Sequence, residues 1–309
     1  MPKFAHKPVM LDEVLKALAP KAGGVYADGT VGGGNHAVAI LEASSPDGRL
    51  YGCDRDPLAL AAAGDRLAVF QGRYELRRGT FADLNQWVAA GSCDGVLLDL
   101  GVSSPQLDCA ERGFSFQHDG PLDMRMDPDQ ALTASVLVNT AEVEDLARVF
   151  WELGGERQSR LLARAIVRAR ESRPLETTRQ LAEVIERVSP GRGRKAHPAT
   201  KVFQALRMAV NDELGNLRAG LESVWAILKS GGRLAVITFH SLEDRTVKHF
   251  GRERVREYTF PGSVDVPELR QPRAPEARWL SRRAMIPSAV ELATNPRSRS
   301  AQLRVIEKI

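Results

Sequence analysis

Three short apolar runs in this chain each end in an acid that opens onto a polar loop. Val25-Tyr26-Ala27-Asp28 leads into Gly29-Thr30-Val31-Gly32-Gly33-Gly34-Asn35-His36. Leu50-Tyr51-Gly52-Cys53-Asp54 leads into Arg55-Asp56, and Gly95-Val96-Leu97-Leu98-Asp99 into Leu100-Gly101-Val102-Ser103-Ser104-Pro105-Gln106. A fourth run, 233–239, opens onto His240-Ser241-Leu242-Glu243-Asp244-Arg245. Glycines let a backbone turn sharply and approach a ligand, and a helix start offers free N–H groups. Carboxylates there can accept from hydroxyls or amines and can hold a cation. The bland alternative is that each acid or serine caps a helix. Four such ends together favour a ligand crevice.

Two dinucleotide-type ligands compete for the first loop. Gly32-Gly33-Gly34-Asn35-His36-Ala37 fits G-x-G-x-x-A, the turn that cradles a pyrophosphate, and Asp54 follows Gly34 by 20 residues. That acid could hold the ribose of a nicotinamide cofactor or of S-adenosylmethionine. Asp28, ahead of a late glycine triplet, would repel a pyrophosphate and suits a cationic sulfonium amino acid. The residues favour the methyl donor and leave a nicotinamide or flavin cofactor, or a purely structural turn, as alternatives.

Asp99 could accept a hydrogen bond from an exocyclic base amine, polarising the nitrogen and aligning it with a methyl sulfur. A helix cap or internal salt bridge is the competing role. Ser103, Ser104, His240 and Asp244 invite a hydrolase reading, but no G-x-S-x-G elbow is present. Asp119, Asp123 and Asp127 lack the calcium-loop pattern, and no C-x-x-C or H-E-x-x-H occurs, so no metal is expected.

These loops require a parallel sheet to position them. Helices are expected at 9–19, 37–42, 57–67 and 81–90, alternating with strands at 24–28, 50–54, 75–78 and 95–100. Residues 101–130 are rich in Gly, Pro, Asp and Ser. Helical periodicity then dominates to about residue 228, before the buried strand at 233–239. The last third is poor in periodicity until Leu303, Val305 and Ile306. The expected division is a core over 1–106 and 201–309, interrupted by a helical insertion at 107–200.

The chain has 309 residues, a net charge of +4 and three cysteines, Cys53, Cys93 and Cys109, too few for a disulfide framework. The charge is local: over residues 145–201, Lys and Arg outnumber Asp and Glu by thirteen to seven. An anionic partner for the insertion follows. With no apolar leader and no long apolar run, a soluble cytoplasmic protein without membrane contact is expected.

Several blocks together resemble a known family. They are His6-Lys7-Pro8-Val9-Met10-Leu11, Asp28-Gly29-Thr30, the run from Leu97 to Asp108, Arg112-Gly113-Phe114-Ser115-Phe116 and the run from Gly120 to Asp127. His197-Pro198-Ala199-Thr200, Phe203-Gln204-Ala205-Leu206-Arg207, Ser241-Leu242-Glu243-Asp244-Arg245 and Asn295-Pro296-Arg297-Ser298-Arg299-Ser300 continue them. The sequence resembles the bacterial 16S ribosomal RNA small-subunit methyltransferase H (MraW) family, nearly end to end. The resemblance implies a Rossmann-like class I S-adenosylmethionine-dependent methyltransferase core with an inserted α-helical domain. It implies methylation of N4 of a cytidine in the decoding centre of 16S ribosomal RNA, near the P site, within the small ribosomal subunit. Donor-contacting positions fall on Gly34, Asn35, His36, Asp54, Phe81, Asp99 and Gln106, with Phe81 pressing on the adenine. Asp99, Ser103 and Ser104 are the candidate catalytic positions. Arg125, Arg192, Arg194, Lys195, Arg297 and Arg299 are the candidate RNA contacts.

Two blocks depart from the family pattern. Asn35 stands where a glycine is usual, in a loop that normally has an aromatic after the threonine, so its backbone must suit a side chain. Trp151-Glu152-Leu153-Gly154-Gly155-Glu156-Arg157-Gln158 replaces a Tyr-Gly-Glu-Glu-Arg-Phe pattern. It lies in the insertion and bears on RNA docking. The runner-up function is a non-catalytic RNA-binding or assembly protein on the same fold, which donor turnover would distinguish.

Overall fold

The computed structural model describes residues 8–190, 197–262 and 264–309, with Ser104 described by its backbone alone. The chain divides into two compact units, one over Val102–Glu213 and one formed by the described residues up to Gly101 together with Leu214–Ile309.

The second of these is an α/β unit. Helix α1 (Leu11–Leu18) precedes β1 (Val25–Asp28), then α2 (Asn35–Ala43), β2 (Arg49–Asp54), α3 (Pro57–Leu67), β3 (Tyr74–Arg78) and β4 (Cys93–Asp99). A seven-stranded sheet has the order β3-β2-β1-β4-β5-β9-β8, with β5 (Leu228–Thr238), β8 (Ala277–Trp279) and β9 (Gln302–Lys308) completing it. The strands from β3 to β5 are parallel, and β9 runs antiparallel between β5 and β8. This is the Rossmann-like class I methyltransferase arrangement. A separate two-stranded ribbon joins β6 (Tyr258–Thr259) to β7 (Gln271–Pro272).

Alternation along the central strands builds two cores. Val96 and Leu98 of β4, with Leu234 and Val236 of β5, face one apolar layer; Leu97, Ala235 and Ile237 face the other. Helices α10 (Glu213–Ile227) and α11 (Ser241–Val255) supply Leu217, Leu221, Val224, Val247 and Phe250 to the first layer. Helices α1, α2 and α3 supply Val14, Leu18, Ile40, Leu41 and Leu67 to the second. A short helix, α12 (Ala289–Thr294), precedes β9.

The other unit is helical: α4 (Ser104–Asp108), α5 (Ala134–Thr140), α6 (Val143–Glu152), α7 (Ser159–Ser172), α8 (Thr178–Val188) and α9 (Thr200–Val210). Leu146 and Phe150 of α6, Leu162 and Ile166 of α7, and Leu181 and Ile185 of α8 repeat at helical spacing and share one buried core. Val202, Phe203, Leu206 and Val210 of α9 belong to the same core. The unit therefore extends past the boundary at 200 expected from sequence, and it begins before 107. Among the described residues no helix is long and apolar enough to cross a membrane.

Local chemistry altered several expected elements. Residues 81–90, read as an α-helix, form a 3-10 helix at Phe81–Gln86, capped by Thr80, whose hydroxyl accepts from Ala82 N–H at 3.0 Å. The irregular stretch 101–130 is tied to the end of α9. Asn211 accepts from Met126 N–H and donates to the Met124 carbonyl, both at 2.8 Å.

Candidate active site

The glycine loop after β1 is held by Asp54, the acid ending β2. One Asp54 carboxylate oxygen accepts from Gly32 N–H at 2.9 Å and the other from Asp56 N–H at 3.0 Å. The positive φ in the loop falls on Gly32 (50°) and Gly34 (83°), where glycine avoids a Cβ clash. A Cβ on Gly34 would also meet Ala63 Cα at 3.2 Å, so the loop lies tight against α3. Asn35 is already the first residue of α2. The demand for a left-handed residue falls on Gly34, and Asn35 needs no special backbone. Its side-chain oxygen accepts from Arg66 of α3.

Asp28 is buried at 1% exposure, and Thr30 N–H donates to its Oδ1 at 3.1 Å. Burial, partly offset by the Thr30 N–H, pushes its pKa up to about 7, with nearby Asp54 adding to the rise. Burial also raises Asp54, to about 6, against the backbone hydrogen bonds that lower it. Asp99 ends β4, beside β1 in the sheet. Burial first, then the charges of Asp28, Glu243 and Glu291, push its carboxyl well above the usual range. Its Oδ1 is buried and has no hydrogen-bond partner among the described residues. Its Oδ2 lies 3.8 Å from His36 Nδ1, and the other ring nitrogen of His36 contacts the Val9 carbonyl at 3.0 Å. If His36 Nε2 carries the proton for that carbonyl, its Nδ1 faces Asp99 as an acceptor.

The α/β unit thus gathers Asp28, Asp54, His36 and Asp99 at adjoining strand ends. Carboxyls whose pKa values are raised by desolvation and by neighbouring acids can be stabilised in their ionised form by a cation. They would repel a pyrophosphate, despite the G-x-G-x-x-A spelling. The two Asp54 oxygens together offer about four acceptor sites, and the backbone N–H groups of Gly32, Arg55 and Asp56 leave acceptor capacity for a ligand hydroxyl.

Phe81 stands beside this loop in a slot that sequence reading missed. A Cβ on Gly29 would lie 2.6 Å from Phe81 Cβ, and one on Gly220 of α10 only 2.0 Å from Phe81 Cδ2. Both neighbours must be glycine for the ring to sit there, and it remains partly exposed. Thr30 is the second omission: its hydroxyl accepts from Asp99 N–H at 2.6 Å. Glu291, on α12, is the third, and it accepts from Met10 N–H at 2.9 Å.

Three further candidates lie in the helical unit. Ser103 is the N-cap of α4, and its N–H donates to Gln106 Oε1 at 2.9 Å in a capping box. Gln106 is buried in that role. Ser104 opens the same helix. These three belong to the helical unit, whereas His36 and Asp99 belong to the α/β unit.

Arg125, a candidate RNA contact from sequence, is engaged within its own loop. Its Nε and Nη2 grip the Asp123 carboxylate at 2.9 and 2.8 Å, and Nη1 donates to the Pro128 and Gln130 carbonyls at 2.7 and 2.8 Å. A guanidinium so engaged braces its own loop and is poorly disposed to bind RNA phosphate. Asp119 accepts from Arg179 N–H at the start of α8, and Asp127 from Asp129 N–H in a local turn, so both neighbouring acids have structural roles. Arg297 and Arg299 lie in a 3-10 helix at Pro296–Ser300, the latter exposed. Arg192, Arg194 and Lys195 lie outside the described residues.

Comparison with known proteins agrees with the sequence blocks. The chain is 52% identical to the ribosomal RNA small subunit methyltransferase H of Symbiobacterium thermophilum, over 99% of this chain and 97% of that one. It is 51% identical to the protein of the same name from Syntrophotalea carbinolica, over 99% and 98%. Among solved structures, an rRNA methylase from Streptococcus thermophilus aligns over 99% of this chain and 98% of its own, at 13% identity and a TM-score of 0.40. The profile of the MraW methylase family matches residues 3–309, and with these relatives at half identity or better over nearly their whole length, the chain belongs to that family.

Proposed function

We propose that this protein transfers a methyl group from S-adenosylmethionine to N4 of a cytidine in the decoding centre of 16S ribosomal RNA, in the small ribosomal subunit of the cytoplasm. The observation that carries the reading is Asp99, a partly buried carboxyl at the end of β4 whose inner oxygen, Oδ1, has no hydrogen-bond partner among the described residues. A buried polar atom left in this way is costly unless a ligand completes it. The names of the relatives support the ribosomal substrate.

The residues fit the donor. Asp54 would take ribose hydroxyls, Phe81 would lie against the adenine, and the glycine turn at Gly32–Gly34 would let the backbone approach. Gln106 is carried as a further donor contact by the family resemblance. Asp28 and Asp99 would face positive charge, which lowers the cost of ionising carboxyls that burial has raised. When bound, S-adenosylmethionine supplies an electrophilic methyl on a sulfonium.

The chain's own part in the chemistry is to orient an amine and accept its hydrogen bond. An ionised Asp99 accepts from the cytosine amine, shifts its lone pair out of the ring and stabilises positive charge developing on nitrogen. The departing proton has acceptors in Asp99 Oδ2 and His36 Nδ1, 3.8 Å apart. No metal or covalent intermediate is needed in this scheme. Ser103 and Ser104, proposed from sequence as catalytic, contribute the capped start of α4 that follows the Asp99 loop in the chain. The base must leave its stack to react.

The decisive experiment incubates the protein with labelled donor and small subunits lacking the modification, then maps the methylated nucleoside by mass. The expected product is an N4-methylated cytidine in the decoding centre. Methylation of a carbon, or at another site, would remove the assignment, and tight binding of NAD in place of the donor would remove the methyltransferase reading.

A further inference from the structure

A groove of about 800 Å³ opens between α6 and the start of α7 in the helical unit. Arg148, Trp151, Arg157, Arg160, Leu161 and Arg164 line it. Glu144 is the one acid among its described lining residues. Trp151 is 58% exposed and Leu161 46%. A large aromatic side chain so open to water is uncommon without a partner. Arg160 and Arg164 are one helical turn apart on α7, and Arg148 and Trp151 are three residues apart on α6, so each pair shares a face. Arg148 is paired with Asp145 at 2.6 Å. Among the described residues, Arg157, Arg160 and Arg164 have no carboxylate within ion-pairing distance. All three are exposed. The first turn of α7 also carries no acid.

We infer that this groove docks a single-stranded segment of the RNA, with one base stacked on Trp151 and the neighbouring phosphates held by Arg157, Arg160 and Arg164. The inference rests on the ribosomal RNA reading and names a second contact surface for that substrate. Three features select the occupant. A planar indole ringed by guanidinium groups offers a stacking platform and a phosphate track together, the combination that binds single strands. An acidic peptide would satisfy the arginines and leave the indole exposed. An RNA duplex keeps its bases stacked inside and offers none to the indole.

The test uses the full-length protein without donor and a short single-stranded RNA. Binding should quench the emission of Trp151, and the Trp151→Phe protein should lose that quenching component while Trp87, Trp225 and Trp279 report as before. Trp151→Ala should weaken binding by roughly 5- to 150-fold, the usual range for losing one stacked base, with Trp151→Phe recovering part of it. Charge reversal at Arg157, Arg160 and Arg164 should lower the slope of log affinity against log salt by about 2, at roughly 0.7 per lost phosphate contact. Arg164→Glu alone should give about a third of that change. Donor affinity, measured separately by calorimetry, should not change in any variant. Wild-type affinity and salt slope in both Trp151→Ala and Arg164→Glu would overturn the inference. So would displacement of the RNA by polyglutamate at equal affinity, which would point to an acidic protein partner. A wild-type protein that fails to bind S-adenosylmethionine but still quenches with RNA would sink the methyltransferase reading and leave the groove assignment standing.

Discussion

Thr30 and Asp99 join two neighbouring strand ends: the threonine hydroxyl accepts the Asp99 backbone N–H at 2.6 Å. Thr30 also turns its own N–H to Asp28 Oδ1. One short side chain therefore sets the spacing between the glycine loop and the acid proposed to meet the base. Thr30→Val keeps the shape and orphans the Asp99 N–H. It should cost about 1–3 kcal/mol of stability, and it should lower the methyl-transfer rate more than it weakens donor binding. Thermal unfolding and a rate at saturating donor check the two parts.

Asp99→Asn should fold normally and sharply lower single-turnover methyl transfer at saturating donor. The amide keeps one acceptor oxygen but loses the charge that stabilises the developing cation, a loss of a few kcal/mol or roughly 100-fold in rate. A rate near wild type under those conditions would leave Asp99 as a donor-binding residue only.

Asp54→Ala should weaken S-adenosylmethionine binding by about 1–3 kcal/mol. It also frees the N–H groups of Gly32 and Asp56, so the loop should loosen even without ligand. Hydrogen exchange of Gly32 would register this. A dissociation constant within twofold of wild type would reduce Asp54 to a structural tie.

Gly220→Ala carries a more local forecast. The new methyl would overlap the Phe81 ring, with 2.0 Å to Cδ2, so the ring must move. Donor affinity should fall although Gly220 lies 139 positions from Phe81 in the sequence. Overpacking should also cost about 1–3 kcal/mol of stability. A Gly220→Ala protein with unchanged donor affinity would mean that Phe81 does not contribute to the donor site.

The pKa values of Asp28 and Asp54, raised to about 7 and about 6 in the folded protein, set a pH dependence. Between about pH 4 and 7 the folded state holds protons that the unfolded chain has already released, so stability should fall as pH rises through that window. Asp28→Asn should remove part of the fall and stabilise the free protein at pH 8 by on the order of 1–3 kcal/mol. Binding of a cationic donor favours the ionised forms, so binding near pH 6.5 should release protons. Calorimetry in two buffers of different ionisation enthalpy measures that release, and zero release would contradict a cation facing these acids.

The parts of the site that could be read from the sequence are those set by local pattern. Apolar runs ending in acids gave the places of Asp28, Asp54 and Asp99, because strand ends carry their own signature in alternation and loop composition. Contacts between distant segments left no such mark. Gly220 looks like any helical glycine until Phe81 is seen against it, and Glu291 lies in a segment without periodicity. Asn35 has a backbone that suits a side chain, as expected, but the motif spelling did not reveal why: the left-handed turn falls one residue earlier, at Gly34. The local engagement of Arg125 was only half legible: Asp123 stands two residues away in the sequence, but the Pro128 and Gln130 carbonyls that take its Nη1 leave no mark in a side-chain pattern. β8, three residues long, is too short to show alternation.

The strand neighbours β4 and β5 have a kinetic consequence. Asp99 and Leu228 are separated by the entire helical unit, yet their strands lie side by side at the centre of the sheet. Closing so long a loop adds little to the equilibrium cost, about 0.6 kcal/mol per doubling of length, but late, long-range pairing of this kind slows folding. The helical unit draws its buried core from residues between Leu122 and Val210 and needs no strand to complete it. The helices are therefore expected to acquire hydrogen-exchange protection first during refolding, with β4 and β5 gaining theirs together in the slow step. The cation site at the end of β4 would be the last part of the protein to mature.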